Sequence, residues 1–221
     1  MLDGVLDSSA GRFYLAVLRD GAELFMESRP LRGRDSADLA KFIDEALGRF
    51  KLDIGSIDRW SVGAGPGGFT GLRILAVLAA GWCFGKKEKS FRCVPGALSF
   101  ASVIGVNEGE TVGCLYDGRN HEIFLSGVTC AAGELVPTGE NLVLDRDAAE
   151  KFFADRPPMR LTVPATEFDA VKSLLPATAD PFPVEMPDVF ALGRNKSIPF
   201  DNDPDRLLYF RPAVESRPAA L

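Results

Sequence analysis

The first half of the chain alternates short apolar runs with polar turns, and its longer apolar segments repeat with helical spacing. Short apolar runs bounded by turn residues predict strands, whereas apolar positions three and four residues apart predict amphipathic helices. The predicted strands are residues 5–6, 13–18, 23–28, 59–62 and 90–94, and the predicted helices are residues 36–49, 70–84 and 95–104. Three strands followed by alternating helices and strands predict one α/β unit over residues 1–106.

The pattern starts again after residue 106. Predicted strands cover residues 111–116, 122–128 and 161–163, and a hairpin meander runs to residue 144. Predicted helices cover residues 146–154, 166–175 and 190–194. The proline-rich residues 176–187 predict an extended connection. Residues 6–15 and 116–125 align without a gap, each as a strand, an aspartate, a polar turn and a strand. This repeat predicts a duplicated α/β fold with its second half over residues 107–221. Chance recurrence of a common hairpin is the alternative.

The helix predicted over residues 70–84 is apolar on nearly every face. Its small residues are Gly71, Ala76, Ala79, Ala80 and Gly81. A helix with no polar face is either buried on all sides within its own domain or covered by another chain. Periodicity leaves both alternatives open, because apolar residues lie on every side of the helix.

Composition and charge favour a cytoplasmic protein that does not hold nucleic acid by itself. The chain has 221 residues and a formal net charge of −6, and no window of it gathers a basic stripe. Its four cysteines form no CxxC pair, which fits neither a zinc knuckle nor a disulfide-bonded secreted domain. No signal peptide is visible after Met1, and the longest apolar run, residues 74–85, is too short to span a bilayer. We therefore expect no membrane contact.

The glycine-rich run Gly65-Pro66-Gly67-Gly68-Phe69-Thr70-Gly71-Leu72-Arg73 follows a predicted strand and opens the apolar helix. Glycine and proline at this density require a backbone that turns sharply and approaches a neighbour closely. Gly63 completes a G-x-G-x-x-G pattern, but a dinucleotide site also needs a carboxylate at the end of the next strand, which ends Val94-Pro95. A P-loop needs a lysine where Phe69 stands. The sequence therefore argues against both kinds of nucleotide loop.

The remaining candidates for chemistry are aspartates. His121 is the only histidine, so neither a two-histidine metal site nor a relay between two histidines can form. Asp7 and Asp117 follow the first strand of each half, where carboxylates could hold hydrated magnesium and turn amides could bind phosphate. The alternative is that each aspartate only caps its own turn. We expect no resident metal and no cofactor.

The glycine-rich run closely resembles the G-P-G-S-F-T-G-[LV]-R signature of the TsaB (YeaZ) family, with Gly68 in place of the usual serine. The supporting matches are Leu6-Asp7-Ser8-Ser9, similar to the family's I-D-T-S, residues 117–124, similar to D-A-R-x-x-E-V-Y, and Tyr209-Phe210-Arg211, similar to a terminal Y-L-R. The chain departs from the family at Asp35-Ser36, where a histidine–serine pair is usual, and at Leu207, where a proline is usual. Together the matches cover both halves.

This resemblance implies a duplicated actin-like ATPase (ASKHA) fold of two βββαβα-type halves that has lost most of its nucleotide site. It implies a non-catalytic scaffold subunit in tRNA threonylcarbamoyladenosine synthesis, with a TsaD-like catalytic subunit and a TsaE-like ATPase as partners. Family members pair with TsaD through the first two long helices and commonly form a homodimer through the same surface when alone. Contact with tRNA then belongs to the complex. The alternatives are a small actin-like ATP-binding kinase or ATPase that uses Asp7 and Asp117, and a peptidase, against which the single histidine argues.

Three sets of site residues follow from the resemblance. The partner-binding set is Leu39, Phe42, Thr70, Gly71, Leu72, Arg73, Leu75, Ala76, Leu78 and Ala79. The family-motif loop is Gly65, Pro66, Gly67, Gly68 and Phe69. The vestigial phosphate loops are Asp7, Ser8, Ser9, Asp117 and Arg119. Small residues on the second long helix would let a partner helix come close, and its leucines would supply the apolar contacts.

Overall fold

The computed structural model describes residues 1–8, 11–31, 38–67 and 69–208, except for the side chain of Phe69. The first half contains β1 (Leu2–Asp7), β2 (Arg12–Arg19), β3 (Ala22–Pro30), α1 (Leu39–Arg49), β4 (Arg59–Gly63), α2 (Phe69–Cys83), β5 (Ser90–Val94) and α3 (Ala97–Ile104). The second half contains β6 (Thr111–Arg119), β7 (Glu122–Ala131), β8 (Glu134–Leu144), α4 (Arg146–Ala154), β9 (Arg160–Pro164), α5 (Phe168–Lys172), β10 (Phe182–Val184) and α6 (Phe190–Arg194). None of the helices among these residues has the length and apolar content that a membrane span requires.

The two halves build the same sheet. The first sheet has the strand order β3-β2-β1-β4-β5, and the second sheet has the order β8-β7-β6-β9-β10. In each sheet the first three strands pair antiparallel, the fourth pairs parallel with the first, and the fifth pairs parallel with the fourth. The register of the first hairpin differs by one residue between the halves, since Leu6 lies opposite Leu15 whereas its aligned counterpart Tyr116 lies opposite Phe124. The predicted duplicated α/β fold is confirmed by this repeated order.

The described residues form five layers, in which helices cover both faces of each sheet. The outer face of the first sheet is covered by α1 and α2, the space between the sheets holds α3 and α6, and α4 and α5 cover the outer face of the second sheet. Neighbouring residues alternate between layers, so Leu6 packs under α1 and α2 whereas Val5 faces the middle layer. Because both faces are covered, β2 is buried and apolar from Phe13 to Leu18.

Two predicted elements differ from the structure. The helix predicted over residues 166–175 is shorter, because a 3-10 turn precedes α5. Segment 176–187, predicted as an extended connection, contains the strand β10, whose place at the edge of the second sheet tolerates Pro183. The helix start predicted at Asp35 or Ser36 lies outside the described residues.

The chain beyond α6 returns to the first half. Within α6, Gly193 lies against the first sheet so closely that a side chain there would collide with Leu18. Further on, Asn202 exchanges hydrogen bonds with Phe91 at the free edge of β5. The boundary between residues 106 and 107 stays a prediction, and the segment around Asn202 covers part of the edge of the first sheet.

Candidate functional site

The glycine-rich loop connects β4 to α2 and is fixed by backbone hydrogen bonds. The Ala64 amide donates to the carbonyl of Val94 at 2.7 Å, and the Gly96 amide donates to the carbonyl of Gly65 at 2.8 Å. Gly65 has a φ of 102°, which favours glycine, and a Cβ there would contact Leu72. The neighbour that this backbone approaches closely is therefore the chain's own helix.

The structure describes only the start of the predicted motif loop. Gly65 and Pro66 are buried, and Gly67 is exposed. Gly68 and the side chain of Phe69 lie outside the described part of the chain. A role of this loop in binding stays a prediction.

One face of α2 packs into the chain's own core. Leu72, Leu75, Ala76 and Ala79 are each at most 1% exposed and pack with α1 and the first sheet. Leu39 of α1 is buried in the same cluster. These five side chains therefore pack inside the chain's own core, and their predicted contact with a partner stays a prediction.

The opposite face of α2 is exposed and mostly apolar. This face, the outer stripe of α2, consists of Thr70, Arg73, Ile74, Val77, Leu78 and Gly81. Val77 is 66% exposed, and Phe84, one residue beyond the end of the helix, is 86% exposed. Of the predicted partner-binding residues, Thr70, Arg73 and Leu78 lie on this stripe. A mostly apolar stripe of this kind is typical of a surface that another protein covers.

The sequence interpretation misses Ile74, Val77 and Phe84. Because the helix is apolar on every side, periodicity gives no reason to prefer the face of Val77 to the opposite one. The signal available is Arg73, whose charge must stay in water. Val77 and Phe84 follow Arg73 by four and eleven residues, which places all three on the same side of an α-helix.

The exposed face of α1 is charged, in contrast to that of α2. Lys41 and Glu45 form an ion pair one turn apart, with 3.7 Å between nitrogen and oxygen. Phe42, predicted to bind a partner, is half-buried: its ring meets the edge of Phe13 at 5.6 Å, and the Arg29 guanidinium lies 4.8 Å from its centre. Of these two helices, α2 therefore carries more of the exposed apolar surface.

Asp7 is the last residue of β1, and Asp117, its counterpart in the gap-free alignment, lies near the end of β6. Asp7 is fully buried, and its carboxylate fills the space that a side chain at Gly63 would need. Asp117 Oδ1 accepts a hydrogen bond from the Arg119 amide at 2.8 Å, so this aspartate caps its own turn. A role of Asp117 and Arg119 in phosphate binding stays a prediction.

Ser8 lies between the end of β1 and the first turn of α2. A Cβ at Gly71 would stand 3.1 Å from Ser8 Oγ and 3.3 Å from Leu31, so this glycine is needed for the close packing of helix and strand. Ser9 lies outside the described residues. Phosphate binding by Ser8 and Ser9 stays a prediction.

Glu167 lies in the 3-10 turn that follows β9, and its carboxyl group forms a hydrogen bond with β6. Its Oε2 accepts a hydrogen bond from the Asp117 amide at 2.8 Å. Burial raises the pKa of this carboxyl to about 7, the charge of Asp117 adds to the rise, and the amide hydrogen bond and Arg119 oppose it. Burial also raises the pKa of Tyr116, with the charges of Asp7 and Glu167 among the further causes. No local pattern in the sequence marks Glu167, because its partner is 50 residues away.

A small cavity lies between the two halves. The cavity there is lined by Arg12, Tyr14, Phe100, Pro164, Ala165, Thr166, Val184, Glu185 and Pro187. Its volume is about 20 Å³, whereas small-molecule sites usually measure about 300–1,000 Å³. A larger open hollow of about 410 Å³ lies where α3 ends and β9 and β10 begin.

Metal and thiol chemistry have no evident site in the described part of the chain. Its histidines, cysteines and carboxylates nowhere form a group of three that could hold an ion. The cysteines Cys83, Cys93, Cys114 and Cys130 are buried free thiols, and burial raises the pKa of each. His121 is exposed in the turn between β6 and β7.

Comparisons of the sequence relate the chain to tRNA modification proteins. The model of the family described as "TsaD: tRNA N6-adenosine threonylcarbamoyltransferase" matches residues 34–152. The curated tRNA threonylcarbamoyladenosine biosynthesis protein TsaB of Haemophilus influenzae is 28% identical over 123 residues, which are 56% of this chain and 52% of that protein. The match therefore spans about half the length of the curated relative.

Comparisons of the structure agree. YeaZ from Pseudomonas aeruginosa superimposes with a TM-score of 0.66 and 19% identity, over 86% of this chain and 89% of its own. The ethanolamine utilization protein EutJ from Carboxydothermus hydrogenoformans superimposes with a TM-score of 0.51 and 11% identity, over 87% of this chain and 88% of its own. At these identities the likeness concerns the fold. The predicted actin-like fold and the predicted resemblance to TsaB (YeaZ) are confirmed.

Proposed function

Because the chain belongs to the family described as TsaD: tRNA N6-adenosine threonylcarbamoyltransferase, we propose that it acts in the synthesis of threonylcarbamoyladenosine in tRNA as a non-catalytic subunit. Its likeness to the TsaB protein and to YeaZ supports this role. In the proposal a TsaD-like subunit holds the active site, this chain keeps it in its working arrangement, and a TsaE-like ATPase joins the pair. The complex works in the cytoplasm and contacts tRNA, and this chain alone forms a homodimer.

The observation that supports the scaffold role best is the exposed outer stripe of α2. Val77 and Phe84 present apolar side chains to solvent along one side of a 15-residue helix. Gly81 lies on the same side with open space around it, so a partner can approach the helix backbone. Burying such a stripe against another protein removes apolar surface from water, which favours association. We infer that a TsaD-like subunit covers this stripe.

Three features favour a non-catalytic role for this chain. The cavity between the halves, at about 20 Å³, is far smaller than a nucleotide site. An oxygen of Asp117 is engaged in the turn of its own hairpin. The sequence has a single histidine, so the metal-binding histidines expected of a TsaD-like catalytic subunit have no counterparts here.

A small actin-like ATPase is the second candidate. The buried Asp7 at the end of β1 favours it, because a carboxylate at this position could hold hydrated magnesium beside a phosphate. Titration calorimetry of the isolated chain with ATP and magnesium separates the two candidates. The scaffold role predicts weak or no binding, whereas an ATPase must bind ATP.

Reconstitution tests the scaffold role directly. A TsaD-like subunit, a TsaE-like ATPase, tRNA and the donor threonylcarbamoyl-adenylate are mixed with and without this chain, and the modified nucleoside is measured by mass spectrometry. We expect product only when the chain is present. Equal product without the chain would refute the scaffold role. Product formed by the chain in the absence of the TsaD-like subunit would assign catalysis to this chain instead.

A further inference from the structure

The arginine in the middle of β5 is buried and binds α6 and the segment that follows it. Arg92 is 2% exposed, and its guanidinium donates to Ser61 Oγ at 2.9 Å and to the carbonyl of Ile198 at 2.6 Å. It also donates to the carbonyls of Leu192 and Gly193, both at 3.0 Å. Burial lowers the pKa of this guanidinium to about 10, which reflects the cost of keeping a charge away from water.

A second arginine, Arg59, contacts the segment that follows α6. The ring centre of Phe200 lies 4.2 Å from the Arg92 guanidinium and 4.6 Å from that of Arg59. Arg59 is itself fixed by two hydrogen bonds to the Asp3 carboxylate, at 2.7 and 2.9 Å. The two guanidinium groups thus contact the ring of Phe200 and fix its position beside the first sheet.

Residues 195–208, which we call the C-terminal strap, pass around the edge of the first sheet. Ile198 packs in the core between the sheets, while Leu207 packs in the core under α1 and α2. At the edge between them, the Phe91 amide donates to Asn202 Oδ1 at 2.7 Å, and the Asn202 amide donates to the carbonyl of Phe91 at 3.0 Å. The strap thereby satisfies the outer edge of β5.

The strap reaches the glycine-rich loop. The Leu208 amide donates to the carbonyl of Ala64 at 2.8 Å. A Cβ at Gly65 would lie 2.9 Å from Leu72 and 3.4 Å from the carbonyl oxygen of Leu208. Because Leu72 belongs to the first turn of α2, the strap, the loop and the start of the helix are in direct contact.

We propose that the C-terminal strap positions the partner-binding helix: Arg92 and Asn202 hold the strap across β5, and the strap holds the glycine-rich loop and the start of α2. The inference rests on the proposed function, because it gives the strap a part in presenting the outer stripe of α2 to a partner. A loosened strap leaves the sheet and α1 intact but lets the loop and the first turn of α2 shift.

Two variants loosen the strap, and a third serves as a matched control. Arg92→Lys removes the planar guanidinium that reaches several carbonyls at once. Asn202→Ala removes the side-chain oxygen that accepts a hydrogen bond from the Phe91 amide. The Asn202 side chain is exposed, and its removal leaves Arg92 unchanged. This variant is therefore informative even if Arg92→Lys fails to fold. Arg160→Lys is the control, because the Arg160 guanidinium also donates to two backbone carbonyls, but at the end of α3.

Hydrogen exchange at the Leu208 amide measures the attachment of the strap, and the dissociation constant with the TsaD-like subunit measures its effect on α2. We expect Arg92→Lys to accelerate exchange and weaken binding about tenfold, the size expected for a lost hydrogen bond to a charged group. Asn202→Ala should accelerate exchange and weaken binding severalfold, whereas Arg160→Lys should change neither the exchange rate nor the dissociation constant.

The outcomes separate the two claims. Unchanged exchange at Leu208 in both strap variants would overturn the attachment. Faster exchange with unchanged binding would overturn the positioning role. A wild-type chain that binds no partner would overturn the proposed function and the positioning role with it, while the exchange rates would still show whether Arg92 and Asn202 hold the strap.

Discussion

Residues two positions apart on α2 have opposite surroundings. Leu75 has no exposed surface, whereas Val77 is 66% exposed. Both side chains are aliphatic, so the difference comes from their positions on the helix and not from their chemistry. The free energy of unfolding should therefore depend on Leu75, and the binding of a partner should depend on Val77.

Alanine substitutions at these two positions test that division. Leu75→Ala should lower the free energy of unfolding by about 2–5 kcal/mol, because it leaves a cavity in a packed core. Val77→Ala should change it by no more than about 0.5 kcal/mol, because the side chain already contacts solvent. Urea denaturation followed by circular dichroism measures both values. Equal losses at the two positions would contradict the orientation of the helix.

The carboxyl of Glu167 leads to a prediction about pH. Burial raises its pKa from the ordinary 4.5 to about 7, so the folded chain binds this proton more tightly than the unfolded chain does. The free energy of unfolding should therefore fall as the pH rises from about 4.5 to about 7. Glu167→Gln should remove this part of the pH dependence and raise stability above pH 7 by about 1–3 kcal/mol.

Glu110→Gln is the control of opposite sign for that experiment. The Asn107 amide donates to the Glu110 carboxylate at 2.9 Å and, together with Arg160, lowers its pKa. The stabilisation from Glu110 is present above its unfolded pKa and is lost as the pH falls, so its removal should lower stability at neutral pH. Urea denaturation at several pH values measures the free energy of unfolding of both variants and of the unchanged chain. An unchanged pH profile in Glu167→Gln would show that Glu167 does not titrate as proposed.

At the scale of elements, the sequence predicts the existence of α2 but not its orientation. The predicted span, residues 70–84, differs by one residue at each end from the observed Phe69–Cys83. The sheet beneath the helix selects the face of Leu75 for the core, and within this largely apolar helix the charge of Arg73 is the one sequence signal for the opposite face. Long-range packing, not local spacing, therefore decides which residues of this helix a partner can meet.

The glycine-rich loop and β10 show the same limit. The glycine-rich composition predicts that the backbone approaches a neighbour closely at Gly65. The sequence does not show that Leu208 is one of these neighbours, because Leu208 is distant in the chain and has no periodic pattern around it. Pro183 argues locally against a strand, yet β10 pairs with β9 at an edge where its missing amide is tolerated. Both features depend on contacts that form only in the folded chain.

A charge placed on the outer stripe of α2 should separate the chain from its partner. Val77→Glu should weaken binding to the TsaD-like subunit, and self-association, about tenfold or more, because the carboxylate would have to leave water on binding. Val103→Glu on α3 is the matched control, since Val103 is also exposed, at 43%, but lies away from the stripe. Sedimentation velocity and titration calorimetry measure the association. Equal weakening by both variants would point to a general effect of charge rather than to this surface.

At the scale of the whole molecule, two copies of one topology close against a shared middle layer. The gap-free match of residues 6–15 with 116–125 makes the duplication predictable from the sequence. The packing of the two halves is not predictable, because it depends on side chains that meet only in the folded chain. Phe100 and Tyr116, for example, form a T-shaped pair with 5.6 Å between their ring centres. A cavity between residues of the two halves measures about 20 Å³.

This closure leads to a prediction about nucleotides. A ligand present at about 100 times its dissociation constant raises the free energy of unfolding by about 2.7 kcal/mol, so binding would be visible as a higher Tm. We expect millimolar ATP with magnesium to leave the Tm of the isolated chain unchanged and to give only heats of dilution in calorimetry. Asp7→Asn is the matched variant. A magnesium-dependent rise in Tm that this variant abolishes would favour the ATPase over the scaffold and would require the two halves to open in solution.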